Sequence, residues 1–66
     1  MELTVNGVQQ AVQVGATVAD VVAEITEADR GVAVAVNGEV VPRGTWATVA
    51  LRPGDRVEVL TAAQGG

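Results

Sequence analysis

The chain contains no cysteine, histidine, serine, lysine, tyrosine or phenylalanine, and a single tryptophan, Trp46. Each absence closes a route. Without cysteine there is no disulfide, and no thiolate to serve as nucleophile or metal ligand. Without histidine the commonest general base and the imidazole ligand are gone, so no metal site is expected. Without lysine there is no Schiff-base chemistry, and without serine the commonest hydroxyl nucleophile is missing. Six Thr and eight Asp or Glu remain, a thin set from which to build an enzyme. The composition argues for a substrate, carrier or adaptor in place of a catalyst. Lack of cysteine also fits a reducing cytoplasm. The four Arg, at 30, 43, 52 and 56, are scattered, and the net charge is −4. Phosphate backbones are held by clustered Lys and Arg, so nucleic acid is not an expected partner. No run of 18 apolar residues exists to cross a membrane, and Met1-Glu2-Leu3 opens no signal-peptide pattern.

What the chain does have is valine and alanine, which make up most of its 48% hydrophobic content. At 66 residues it is one domain near the lower size limit for a self-sufficient core. Small side chains bury little area each, so modest stability is expected. Glu2-Leu3-Thr4-Val5-Asn6 alternates polar and apolar with the period of a half-buried strand. Asn6-Gly7 is a hairpin signal, since both residues tolerate positive φ. Gln10-Ala11-Val12-Gln13-Val14 alternates again and predicts the second strand, with Val12 and Val14 on one face. Gly15-Ala16 breaks it.

Thr17 stands where a helix N-cap would, with Asp20 at the capping-box position. Val18, Val21, Val22 and Ile25 then follow the i, i+3, i+4, i+7 spacing of one apolar helical face. The predicted helix runs over residues 18–28, with Glu24, Glu27 and Asp29 toward solvent and Gly31 as the C-terminal cap. Val32-Ala33-Val34-Ala35-Val36 is a strand in which the valines should face the helix and Ala33 and Ala35 should face outward. Asn37-Gly38 signals a second tight turn into the short strand Glu39-Val40-Val41. Pro42 cannot donate to a ladder, which makes that strand an edge. Between Arg43 and Leu51 the pattern is irregular, and Trp46, Val49 and Leu51 are read as packing residues. Arg52-Pro53-Gly54-Asp55 has the Pro and Gly of a type II turn. Arg56 to Thr61 alternates as the last strand, with Val57 and Val59 inward and Glu58 and Leu60 outward.

The order is ββαββ with a short irregular piece before the last strand. A helix crossing between the two hairpins covers one sheet face, and setting the last strand beside the first closes a mixed sheet of four or five strands. This α+β arrangement is the β-grasp, or ubiquitin-like, fold. Residues 1–61 would form the domain and residues 62–66 a flexible tail, disordered when free. That tail, Ala62-Ala63-Gln64-Gly65-Gly66, is read as the working part. A Gly-Gly end has the smallest cross-section a peptide can offer and adopts almost any backbone conformation. Five extended residues reach roughly 17 Å, enough to enter a partner's active site. A terminal carboxylate there can be activated by ATP as an acyl-adenylate, from which a sulfide, persulfide or amine displaces AMP.

Val34-Ala35-Val36-Asn37-Gly38-Glu39-Val40-Val41-Pro42-Arg43, Trp46, Leu51, Gly54-Asp55-Arg56-Val57-Glu58 and Gln64-Gly65-Gly66 together resemble the ThiS family, sulfur carriers of thiamine biosynthesis within the MoaD/ThiS superfamily. The opening strand, Asn6-Gly7 and Thr17-Val18-Ala19-Asp20 are similar too. The family more often has Leu where Val21 and Val22 stand. The resemblance implies the β-grasp fold and a cycle. An E1-like adenylyltransferase of ThiF type adenylates the C-terminal glycine, here Gly66, with Mg-ATP. A sulfur donor such as a cysteine desulfurase then converts it to a thiocarboxylate. The carrier docks on a thiazole synthase of ThiG type and delivers sulfur to the forming ring. The carrier binds no cofactor of its own, needs no catalytic side chain, and is expected to be a monomer when free. Ala63, Gln64, Gly65 and Gly66 would thread into the partner, while Leu60, Ala33, Ala35 and Glu58 would form the docking face. Other readings of the same features are the small subunit of molybdopterin synthase, a ubiquitin-like protein modifier, and a non-covalent adaptor.

Overall fold

The structure is a computed structural model that describes residues 1–27 and 30–62. Strand β1 (Glu2–Val5) turns through Asn6 and Gly7 into β2 (Val8–Ala11). Helix α1 (Val18–Ile25) follows, then β3 (Val32–Val36), β4 (Glu39–Val40), a single 3-10 turn at Arg43–Thr45, and β5 (Arg56–Thr61). The five strands form one mixed sheet in the order β2-β1-β5-β3-β4. β5 runs parallel to β1 and antiparallel to β3. The last strand in sequence is thus the central one, beside the first, as the β-grasp expectation requires.

The first hairpin differs from the sequence expectation in its register. Asn6 (φ 50) and Gly7 (φ 81) make a two-residue turn, so Val8 pairs directly with Val5 and the strand begins at residue 8, not 10. It ends when its partner runs out. Ala11 pairs with Glu2, and the Val12 N–H still reaches the Met1 carbonyl at 2.8 Å. Beyond that there is no β1 left to pair. Val12 packs half-buried against the core. Val14, expected on the same face, is 85% exposed.

α1 starts where the sequence places it. The Thr17 hydroxyl accepts from Asp20 N–H at 3.2 Å, and the Asp20 carboxylate accepts from Thr17 N–H at 2.9 Å. These reciprocal bonds satisfy donors that a helix start otherwise leaves unpaired. The loop between the 3-10 turn and Leu51 completes the job. Val49 and Trp46 carbonyls accept from Val18 and Ala19 N–H at 3.0 and 3.1 Å. The helix stops earlier than expected, because Thr26 turns extended (φ −149, ψ 151) while its N–H bonds Val22. Thr is a weak helix former whose branched Cβ suits that extended backbone. Gly31 therefore does not cap α1. Ile25, in the last turn, is 39% exposed and only Val18, Val21 and Val22 of the predicted face are buried. Glu24 and Glu27 face solvent, while Ala28 and Asp29 lie outside the described residues.

The core between helix and sheet is made of Leu3, Val5, Val18, Val21, Val22, Val34, Leu51, Val57 and Val59, with Trp46 at its edge. Trp46 donates its indole N–H to the Val41 carbonyl at 2.9 Å, and the Arg43 guanidinium lies 5.3 Å from the ring centroid. Both contacts explain the tryptophan structurally, as a plug between the edge hairpin and the helix start.

Candidate functional site

β5 is the element that carries the chain toward its Gly-Gly end, and two asparagines brace it. Both come from the tight turns, and both hold the left-handed backbone that an Asn tolerates (φ 50 and 52). At one side the Asn6 side-chain amide accepts from Val59 N–H at 2.8 Å and donates to the Val59 carbonyl at 3.1 Å. It thereby extends the parallel β1–β5 ladder by one pair made from a side chain. On the other side the Asn37 amide accepts from Arg56 N–H at 3.0 Å and donates to Asp55 Oδ1 at 3.0 Å. Sequence reasoning found both turns but not the clasps, since the signal marks the backbone and says nothing of the amide's distant partner.

Past β5 the ladder ends at the Val32–Thr61 pair. One more bond follows. Ala62 donates to the Gly31 carbonyl at 2.7 Å, so the first residue assigned to the tail is still tied to the body. Ala63, Gln64, Gly65 and Gly66, expected to thread into a partner, lie outside the described residues.

The outer sheet face beside this exit brings all four expected docking residues together. Val57 and Val59 point into the core, and Glu58 and Leu60 point out. Ala33 pairs with Leu60, Ala35 with Glu58, and Ala35 also with Val40 on the edge strand. Residues facing each other in an antiparallel pair share a face. Leu60 is 68% and Val40 77% exposed, and they flank a hollow of about 140 Å³ floored by Ala33 and Ala35 with Glu58 at one edge. Val40 was missed in the sequence. Its exposure depends on the register of a two-residue strand, and no periodicity exists over two residues. An apolar side chain of a partner fits such a hollow, since the alanines set the floor lower than the leucine and valine walls. The other half of the same face is polar, with Glu2, Thr4, Gln9 and Arg56 on β1, β2 and the start of β5.

Among the described residues no group of three or more carboxylates gathers as metal ligands, no polar or charged side chain is buried, and no helix is long and apolar enough to cross a membrane. An open groove between the segment after β2 and α1 is lined by Val12, Gln13, Ala16, Asp20, Val21, Ala23 and Glu24. It offers two carboxylates and no nucleophile.

Comparison with known proteins agrees with this fold. The sequence model of the ThiS family matches residues 2–66. A thiazole synthase of Paramagnetospirillum magneticum (strain ATCC 700264 / AMB-1) is 35% identical over 66 residues, the whole of this chain but 20% of that protein. The chain thus spans about one fifth of that relative's length. The crystal structure of the thiamine biosynthesis protein ThiS from Geobacter metallireducens matches with a TM-score of 0.80 at 33% identity, covering 100% of both chains.

Proposed function

The chain belongs to the ThiS family, and from that membership we propose that it is a sulfur carrier of thiamine biosynthesis whose reactive group is the carboxylate of Gly66. The observation that carries this reading is that the family match runs through Gln64-Gly65-Gly66. The rest of the chain supports it. The body has no Cys, His, Ser, Lys or Tyr, the side chains on which most catalysts rely, and its central strand ends beside an apolar hollow. The reading takes Gly66 to be the last residue of the working protein.

The chemistry follows from the carboxylate. Its oxygen attacks the α-phosphorus of ATP in an E1-like activating enzyme, forming the acyl-adenylate and releasing pyrophosphate. Mg²⁺ bound with the nucleotide offsets the charge of the triphosphate. A sulfide nucleophile then displaces AMP and leaves a thiocarboxylate. If the sulfur arrives as a persulfide, a thiol must afterwards cleave the S–S bond. The thiocarboxylate sulfur finally passes to the thiazole ring on thiazole synthase. The similarity to one fifth of a thiazole synthase supports that recipient. Leu60, Val40, Ala33 and Ala35 seat the carrier on its partners, with Glu58 at the rim. The carrier works in the cytoplasm, where a donor such as a cysteine desulfurase can supply the sulfur.

The test is ATP–pyrophosphate exchange by a ThiF-type enzyme, with the full chain and with a chain lacking Gly65 and Gly66. Exchange should depend on the full chain and vanish with the truncated one. Equal exchange with both would contradict the assignment of Gly66.

A further inference from the structure

Gly31 is a glycine without an assigned task. It stands five residues past the helix cap at Thr26, so it does not end α1, yet its φ is +74. Its position accounts for it. Its carbonyl accepts from Ala62 N–H at 2.7 Å, one residue beyond the last ladder pair, Val32–Thr61. A Cβ added at Gly31 would lie 3.1 Å from the Ala62 Cβ and 3.9 Å from its nitrogen. The neighbour would have to give way, and the neighbour here is the root of the tail. Among the described residues, every other glycine with positive φ has open space where its Cβ would be.

We propose that Gly31 is the positioning residue of the tail. Its left-handed backbone aims a carbonyl at Ala62, and its missing side chain leaves room for the Ala62 methyl, so Ala62 is held at the end of β5 where the tail begins. The inference rests on the sulfur-carrier reading and deepens it. A reaction between a terminal carboxylate and ATP depends on placement, and a misplacement of about 1 Å can cost as much as a hundredfold in rate. The docking face lies on β3, β4 and β5 and does not involve Gly31, so docking and aiming are separable.

Three variants separate the contact from the backbone. Gly31→Asn tolerates positive φ but adds the Cβ against Ala62. Ala62→Gly removes the methyl it would meet. The double variant carries the Asn with the space restored. In ATP–pyrophosphate exchange with the ThiF-type enzyme, Gly31→Asn should lower kcat for the carrier about ten- to a hundredfold while KM stays within about twofold. The double variant should recover kcat to within about threefold of the Ala62→Gly parent. A structural role alone gives another pattern. Partial unfolding depletes the usable carrier, raising the apparent KM at unchanged kcat, and that result would overturn the proposal. So would an unchanged kcat, or a loss that the double variant fails to restore. A wild-type chain that supports no exchange sinks the carrier reading itself, a failure visible before any variant is compared. Amide hydrogen exchange of the free chain gives the second readout. The Ala62 N–H should be protected in the wild type and lose protection at least tenfold in Gly31→Asn, and equal protection in both would refute the clamp.

Discussion

Asn6 and Asn37 each perform two tasks that are usually divided. Each supplies the left-handed backbone of a two-residue turn, and each spends its side-chain amide on β5. Replacing Asn by Gly keeps the turn and removes only the clasp. Asn6→Gly leaves the part-buried Val59 N–H and carbonyl without their partners, and unfolding in guanidinium should show a loss of about 1–3 kcal/mol at unchanged slope. The Asn37 bonds are exposed, so water replaces them, and Asn37→Gly should cost under about 1 kcal/mol. Equal losses would mean that the clasp on Val59 adds nothing beyond the turn. The turns were legible because Asn-Gly is a local signal with a stereochemical cause. The clasps were not, because Asn6 and Val59 are 53 residues apart in sequence. Trp46 was legible as a packing residue for the opposite reason, since a lone large aromatic in a small domain buries almost wherever the chain puts it.

At the scale of elements, legibility follows the same division. The capping box at Thr17 and Asp20 spans four residues and was read correctly. Thr17→Ala should lower stability by about 1 kcal/mol. The loss should be reduced when Asp20 is already Ala, because that removes the acceptor of the reciprocal bond; full additivity in chemical unfolding would contradict the box. The end of α1 was placed too late. The apolar spacing to Ile25 continues in sequence, but the helix yields at Thr26, and Gly31 proved to belong to the tail's root and not to the helix. The second strand was placed two residues late because alternation alone carries no register. Register comes from the turn, and the strand's end comes from the length of β1. Strands β3 and β5 were read correctly, and their outward residues with them, since a five- or six-residue alternation fixes both faces at once. The edge strand β4 is too short for that, which hid Val40.

The whole molecule places its last strand in the middle of the sheet, so the element that carries the tail is the one most thoroughly held. The exit is bracketed by the Asn clasps behind it, the Gly31 bond at its root and the apolar hollow beside it. Leu60 is largely exposed, so Leu60→Thr should leave stability within about 0.5 kcal/mol while raising the KM for the carrier with the activating enzyme about five- to tenfold. An unchanged KM would move the docking face elsewhere. The net charge of −4 and the rim carboxylate Glu58 favour approach to a basic partner surface. Association should slow as salt is raised from about 0.01 to 1 M, and a salt-independent rate would dismiss steering. The central claim is that sulfur travels on Gly66, and one measurement addresses it directly. After incubation with ATP, a ThiF-type enzyme and a sulfur donor, trypsin cuts after Arg56 and releases the peptide Val57 to Gly66. That peptide contains no methionine, so a sulfur-for-oxygen mass change cannot be mistaken for oxidation of Met1. Tandem mass spectrometry should place the change on Gly66, at the C-terminus of the peptide. An unmodified peptide, from an enzyme active on an established carrier, would contradict the account.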